Sequence, residues 1–370
     1  MSFLGSIHID LVCQDNRVTE VRLTPEREVH PEKLFIGKTV SAVRSLIPSL
    51  YALCPDSQLA AFELAVAMAK DRVISQELLH RIRWINHLEM IGESLRYFVL
   101  ELGNPDYRTD KMAALLKARD DIAALKKLDP HDWEEVEHLW VELRSAASYI
   151  LLDGFPTDWQ QAALNSTLSA TTDSLTEVFV RYGRVRSLGY CSYPYEPRIG
   201  FHLLNYNLEL ESWNSYPWSV KLNGMTGAVA RFAHTPLVSG LLTQDGNTAY
   251  TRLVARFLQT LQAVDTTHAD ESSVAAVDIG RGKAASLIEN ARGALIHSVE
   301  LVPDSDPNDP TIRHYEILTP TELNFTYSDA APRALKGIRF TDDEDLKEKA
   351  EIVFCSFDPC AEYSIGVIHA

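Results

Sequence analysis

The sequence predicts an α+β fold with a central bundle of long helices and small β-sheets at its periphery. Three observations lead there. Apolar residues recur at helical spacing over long stretches after Asp56, and short stretches near the N-terminal end and around residues 293–318 read as strands. In addition, 46% of the 370 residues are hydrophobic, with no internal repeat, low-complexity tract or recognisable linker. A chain of that length and composition buries a substantial core, and it reads as a single domain over residues 1–370.

In order along the chain, GSIHIDLVCQDNRVTEVRL alternates on both sides of Asp15-Asn16 and predicts a β-hairpin near residues 6–23. From Asp56 to about Gly103, Leu59, Phe62 and Val66, then Leu78, Ile82, Ile85, Leu88 and Leu95, predict two core helices broken near Asp71. A third helix is expected over roughly 109–127. The stretch DPHDWEEVEHLW opens a fourth, with Asp129 as N-cap, Pro130 at the first helical position and acids in the first turn. Another helical pattern covers about 167–187, and residues 188–236, rich in Tyr, Trp, Pro and Gly, read as loops and short strands. A helix near 238–264 follows. GALIHSVELV and HYEIL read as strands separated by the turn-forming PDSDPNDP, and DDEDLKEKAEIVFCSF reads as the last helix, its acids at the N-terminal end.

The formal net charge of −16 repels a polyphosphate backbone and an anionic membrane surface, and no local basic patch offsets it. Nucleic acid and membranes are therefore not expected as partners; proteins are. The N-terminal stretch lacks the features of an export signal and no apolar run approaches a membrane span, so a cytoplasmic location is expected. Five widely spread cysteines, Cys13, Cys54, Cys191, Cys355 and Cys360, do not form a secreted disulfide framework and are expected as thiols.

Two of these cysteines stand in local settings that suit chemistry. Cys54 directly precedes a helix that opens with Pro55 and Asp56, where free backbone N–H groups lower a thiol pKa. Taken alone it is a ligand, a nucleophile or a small apolar filler. Cys360 follows Asp358-Pro359, whose restricted backbone presents the thiol from a fixed turn. Neither belongs to a C-x-x-C pair, so spacing signals no zinc or iron–sulfur site.

Four separated stretches, in order, resemble the large subunit of nickel–iron hydrogenases. SFDPC is similar to that family's late D-P-C-x-x-C-x-x-H motif at Asp358, Pro359 and Cys360, with Tyr363 at its second cysteine and Gly366 at its histidine. In the early R-x-C-G-x-C-x-x-x-H motif Cys54 stands at the second cysteine, Tyr51 at the first and Gln58 at the histidine. IENARGALIH resembles E-A-P-R-G-A-L-x-H, and HYEILTPTELN resembles Y-x-x-x-x-P-[ST]-x-x-N. Besides these four, LGSIHID near the start resembles E-G-H-x-R-I-E, with Leu4 at the proton-relaying glutamate.

The resemblance implies a metal site in which Cys54 and Cys360 are the surviving thiolate ligands. Arg292 and Thr321, the latter set by Pro320, would be donors to the cyanides of an iron–dicyanide–carbonyl unit, Fe(CN)2CO. Tyr51 and Tyr363 supply phenols where nickel requires soft thiolates, so nickel is expected to be absent. The pattern is similar to hydrogenase accessory proteins of the HupK and HoxV type. It implies a non-catalytic scaffold that takes the iron unit from a HypC–HypD chaperone complex and passes it to the hydrogenase large-subunit precursor. The alternatives are a divergent hydrogenase with an altered metal site and a metal-free structural paralogue that binds maturation chaperones.

Overall fold

The computed structural model describes residues 6–26, 31–71, 73–165, 167–168, 175–191, 225–267 and 273–370. The chain opens with strands β1 (Ser6–Gln14) and β2 (Arg17–Glu26), paired antiparallel. The turn falls where the alternation places it. Asp15 and Asn16 have φ of 51° and 55°, the left-handed pair that a two-residue hairpin needs and that Asp and Asn tolerate.

Helix α1 (Val40–Leu50) is capped by the Thr39 hydroxyl and was not foreseen from periodicity. Helices α2 (Pro55–Asp71) and α3 (Gln76–Arg96) match the predicted core pair. Helix α4 (Pro105–Leu125) starts before the expected 109, because the Asn104 side chain accepts from the Tyr107 N–H at 2.8 Å and Pro105 takes the first helical position.

The expected start of the next helix at Asp129 and Pro130 is corrected: α5 runs Trp133–Leu152, with Asp132 before it. Asp129 instead builds a turn, accepting from the His131 N–H on its side chain at 2.9 Å and from the Asp132 N–H on its carbonyl at 3.0 Å. The unforeseen α6 (Trp159–Asn165) follows, and of the 167–187 pattern the described helix is α7 (Leu175–Arg184). Most of the loop-rich region expected over 188–236 lies outside the described residues, and its described end includes a short helix, α8 (Ala228–Phe232). The helix expected over 238–264 is two, α9 (Pro236–Gln244) and α10 (Ala249–Asp265), parted at Gly246 with φ of 76°.

One core joins α3, α4, α5 and α10 through Leu88, Ile91, Ile122, Trp140, Leu143 and Phe257, among others, and the β1 face carrying Ile7, Ile9 and Leu11 packs into it. Beside this bundle lies an antiparallel meander of β3 (Val274–Gly280), β4 (Lys283–Glu289), β5 (Ala294–Leu301) and β6 (Ile312–Leu318). Ala60, Ala61 and Leu64 of α2 pack with Ile288 and Leu295, placing the start of α2 beside the turn that joins β4 to β5.

Two short helices, α11 (Pro320–Glu322) and α12 (Ala330–Leu335), precede α13 (Asp343–Cys355), whose Asp342 side chain caps the N–H groups of Glu344 and Asp345 at 3.0 Å each. The tail then forms β7 (Glu362–His369), which pairs parallel with β1 and was not foreseen. This pairing carries Cys360 back to the N-terminal sheet. Among the described residues, no helix is long and apolar enough to cross a membrane.

Candidate metal-fragment site

Cys54 stands immediately before α2 and its carbonyl accepts the first helical bond, from the Gln58 N–H at 3.2 Å. It is buried, and its φ of 82° lies in the left-handed region that non-glycine residues avoid. Asp358 is likewise left-handed, with φ of 46°, and its N–H bonds the Cys355 carbonyl at 2.9 Å. These two forced turns bring Cys54 and Cys360 together at one cavity from distant parts of the chain, close enough for each to perturb the other's ionisation.

The two sulfurs do not hold their protons equally. Cys360 is held below the ordinary thiol value by the hydrogen bond from Cys54, against its burial, and Arg292 favours its thiolate further. Cys54 is pushed well above the ordinary value by the same bond and by its burial. Cys360 is therefore the sulfur that ionises more readily, and Cys54 the one that keeps its proton.

Arg292 lies near enough to act electrostatically on both sulfurs, its side chain 1% exposed. Burial pulls the guanidinium down, but Asp358, Cys360 and Glu93 outweigh it and keep it charged. Its Nη2 donates to Glu93 Oε2 at 3.0 Å and its Nε is 3.3 Å from Asp358 Oδ2. Arg256 braces the same Asp358 oxygen at 2.7 Å, and Arg96 braces Glu93 at 3.3 Å. Gly293 lets the backbone turn away directly after Arg292: its φ is 139°, and a Cβ there would lie 2.7 Å from the Thr226 side chain.

Thr321 accepts the Cys360 N–H on its Oγ1 at 3.0 Å, which leaves its own hydroxyl proton to donate. Pro320 is buried at the first position of α11, and the Thr319–Glu322 capping box fixes that turn. The structure thus brings all five sequence-identified residues, Cys54, Cys360, Arg292, Thr321 and Pro320, to one place.

An inner cavity of about 100 Å³ is lined by Cys54, Cys360, Pro320, Thr321, Gln58 and Asn290, among others. It opens beside an outer cavity of about 760 Å³ that Cys360 also lines. The buried donors here without a hydrogen-bond partner include Arg292 Nη1 and Asn290 Nδ2. Asn290 had not been singled out from sequence. Its Oδ1 accepts from the N–H groups of Arg292 and Gly293 at 2.9 and 3.1 Å, which fixes its amide in place. Its only sequence signal was adjacency to the arginine stretch. Orphaned donors beside a pair of cysteines suit a metal fragment that brings its own acceptor ligands.

The substituted positions are filled by other contacts. Tyr51 is buried and lines both cavities. The Tyr363 ring packs on Phe354 with centroids 4.2 Å apart, and its hydroxyl lies 3.5 Å from Cys355 Sγ. Gln58 Oε1 bonds His297 Nε2 at 2.9 Å, and His297 Nδ1 bonds the Tyr315 hydroxyl at 2.6 Å, so burial pushes the imidazole down to about 3 and it stays neutral. Gly366 makes room for Asp10, whose Oδ1 would lie 2.7 Å from a Cβ at that position. Leu4 lies outside the described residues. Among the described residues, no group of three or more His, Cys, Asp or Glu side chains is arranged to hold a metal ion.

The fold is that of a nickel–iron hydrogenase large subunit. The chain superposes on one from the Ni-Fe-Se hydrogenase of D. vulgaris Hildenborough with a TM-score of 0.63 and 13% identity over 94% of each chain. It also superposes on one from the Dm. baculatum [NiFeSe]-hydrogenase with a TM-score of 0.64 and 12% identity over 94% of each chain. Identity that low establishes the fold alone.

In sequence, the chain is a relative of hydrogenase expression/formation proteins over its full length. It is 24% identical to HupV of Azotobacter chroococcum mcd 1 over 99% of both chains. It is 26% identical to HupK of Bradyrhizobium diazoefficiens over 99% of this chain and 97% of that one. Over a 90-residue stretch, 24% of this chain and 23% of the relative, it is 34% identical to HoxV of Cupriavidus necator. No protein-family model matches the chain.

Proposed function

We propose that this protein is a non-catalytic carrier in nickel–iron hydrogenase maturation, receiving the Fe(CN)2CO unit and passing it to the large-subunit precursor. The observation that supports this most is that Cys54 and Cys360 line one cavity, with the charge of Arg292 acting on both sulfurs and its Nη1 left without a hydrogen-bond partner. Two thiols give a soft metal its protein ligands. The guanidinium, the Thr321 hydroxyl and the Asn290 amide offer donors to bound cyanides, while the phenols of Tyr51 and Tyr363 leave nickel without a thiolate set.

The relatives' names place them in hydrogenase expression and formation, and on that footing the partners are a HypC–HypD-type chaperone complex as donor and the large-subunit precursor as acceptor. Handover proceeds by ligand exchange. The Cys360 thiolate attaches first, Cys54 follows as it gives up its proton, and a precursor with more thiolates then draws the fragment away. The 760 Å³ outer cavity gives a delivering thiol room to reach Cys360. Infrared spectroscopy of protein purified from cells carrying the maturation machinery tests this reading. Cyanide and carbonyl bands that vanish in Cys54→Ser and Cys360→Ser are the expected result; protein that carries iron-free, band-free thiols under those conditions overturns it.

A further inference from the structure

Cys54 sits where a helix needs a cap. It holds the N-cap position of α2, where Ser, Asp or Asn would turn its own side chain onto the N–H groups of the first turn. A thiol, a weak acceptor, serves that role poorly. The N–H groups of Asp56 and Ser57 are instead taken by Glu89 of α3, whose Oε1 and Oε2 accept them at 2.7 and 2.9 Å. The Ser57 hydroxyl also bonds this carboxylate and lies 2.9 Å from Asn86 Oδ1. Asn86 Nδ2 in turn donates to the Glu289 carbonyl at 2.9 Å, at the end of β4, one residue before Asn290.

We propose that Glu89 is the positioning residue of Cys54: from the neighbouring helix it supplies the cap that the cysteine forgoes, and so holds this left-handed residue at the cavity that Cys360 also lines. The placement of the carboxylate argues for a dedicated role. Glu89 is buried, its two oxygens address two successive N–H groups, and the turn it grips directly follows the strained residue. Its burial, and after it the charge of Asp56, push its carboxyl up to about 7, so holding it there opposes its ionisation. A position selected for stability alone would favour a capping side chain on Cys54 itself.

This inference rests on the carrier reading, and its test does not. The full-length protein is treated with iodoacetamide, and labelling of Cys54, Cys13 and Cys191 is followed by peptide mass mapping. Glu89→Ala removes both cap bonds, and Glu89→Gln removes one by turning an amide N–H onto a backbone N–H. Cys54 labelling is expected to rise roughly five- to thirty-fold in Glu89→Ala and less in Glu89→Gln, while buried Cys13 and Cys191 stay at wild-type rates. Unchanged Cys54 labelling in both variants overturns the proposal, as does a parallel rise at all three cysteines, which marks general loosening. If Glu89→Ala fails to fold, Glu89→Gln decides.

A cobalt(II) titration followed by the thiolate-to-cobalt band supplies the functional arm. Glu89→Ala is expected to weaken that band in the wild-type background and to add nothing in Cys54→Ser. Cobalt binding indifferent to Cys54 and Cys360 would count against the carrier reading, with the labelling result still standing for Glu89.

Discussion

Replacing Arg292 with leucine removes a guanidinium whose side chain is 1% exposed and which reaches Glu93 at 3.0 Å and Asp358 at 3.3 Å. Breaking a buried ion pair by deleting one partner costs about 3–5 kcal/mol. Here the deserted carboxylates keep other cations, Arg256 on Asp358 at 2.7 Å and Arg96 on Glu93 at 3.3 Å. The expected loss of stability is accordingly at the lower end, about 3 kcal/mol, read by urea unfolding with an unchanged slope. The unpartnered Nη1 contributes nothing to that number, and its role belongs to the cargo. Loss of one charge-assisted donor to a metal-bound ligand should lower fragment retention by about 10–100-fold. Arg292→Lys keeps the charge without the forked geometry and should fall between.

Thr321→Val makes the contrast informative, since it removes a neutral hydroxyl at nearly constant volume and also frees the Cys360 N–H. Its effect on iron retention should be smaller than that of Arg292→Leu. In the infrared spectrum both variants should shift cyanide bands more than the carbonyl band. If Arg292→Leu loses stability while both variants keep wild-type spectra and iron content, the donors assigned to the fragment are the wrong ones.

Protein isolated with the maturation machinery present is expected to carry iron without stoichiometric nickel and to neither consume nor evolve hydrogen; metal analysis and a hydrogen electrode check both. Cys54→Ser and Cys360→Ser should each lower iron content and hydrogenase maturation while leaving the circular dichroism spectrum unchanged, and normal maturation in both would favour a metal-free structural role. His297, pushed to about 3 from 6.5, binds fewer protons folded than unfolded between those values, so its contribution to stability is complete above 6.5 and is lost as pH falls, by at most about 1.4 kcal/mol per pH unit. Glu89, raised from 4.5 to about 7, acts in the opposite sense: its contribution is complete below 4.5 and is lost as pH rises toward 7. The two slopes oppose each other between 4.5 and 6.5, so urea unfolding of His297→Gln should show stability declining more with rising pH in that window than wild type does.

What the sequence determined by itself is what short-range chemistry encodes. The Asp15-Asn16 hairpin was legible because a two-residue turn demands left-handed residues between alternating strands, and α2, α3 and α13 were legible from periodicity and acidic starts. The expected start at Asp129 failed because an aspartate that caps a helix and one that closes a turn look alike until its bonds are seen. Cys54, Cys360, Arg292, Thr321 and Pro320 were named from four short stretches resembling one family, with no indication of how they touch. Only the tertiary structure decided that Cys54 and Cys360 line one cavity and that Thr321 holds the backbone of Cys360. It also decided that Glu89 caps a helix from outside and that β7 runs parallel to β1. Each of those contacts joins segments far apart in the chain, and nothing in the local pattern of either segment names its partner. Which groups meet is settled when the apolar faces of α2, α3 and the sheets bury one another, leaving the polar groups between them to pair with whatever the packing brings within reach.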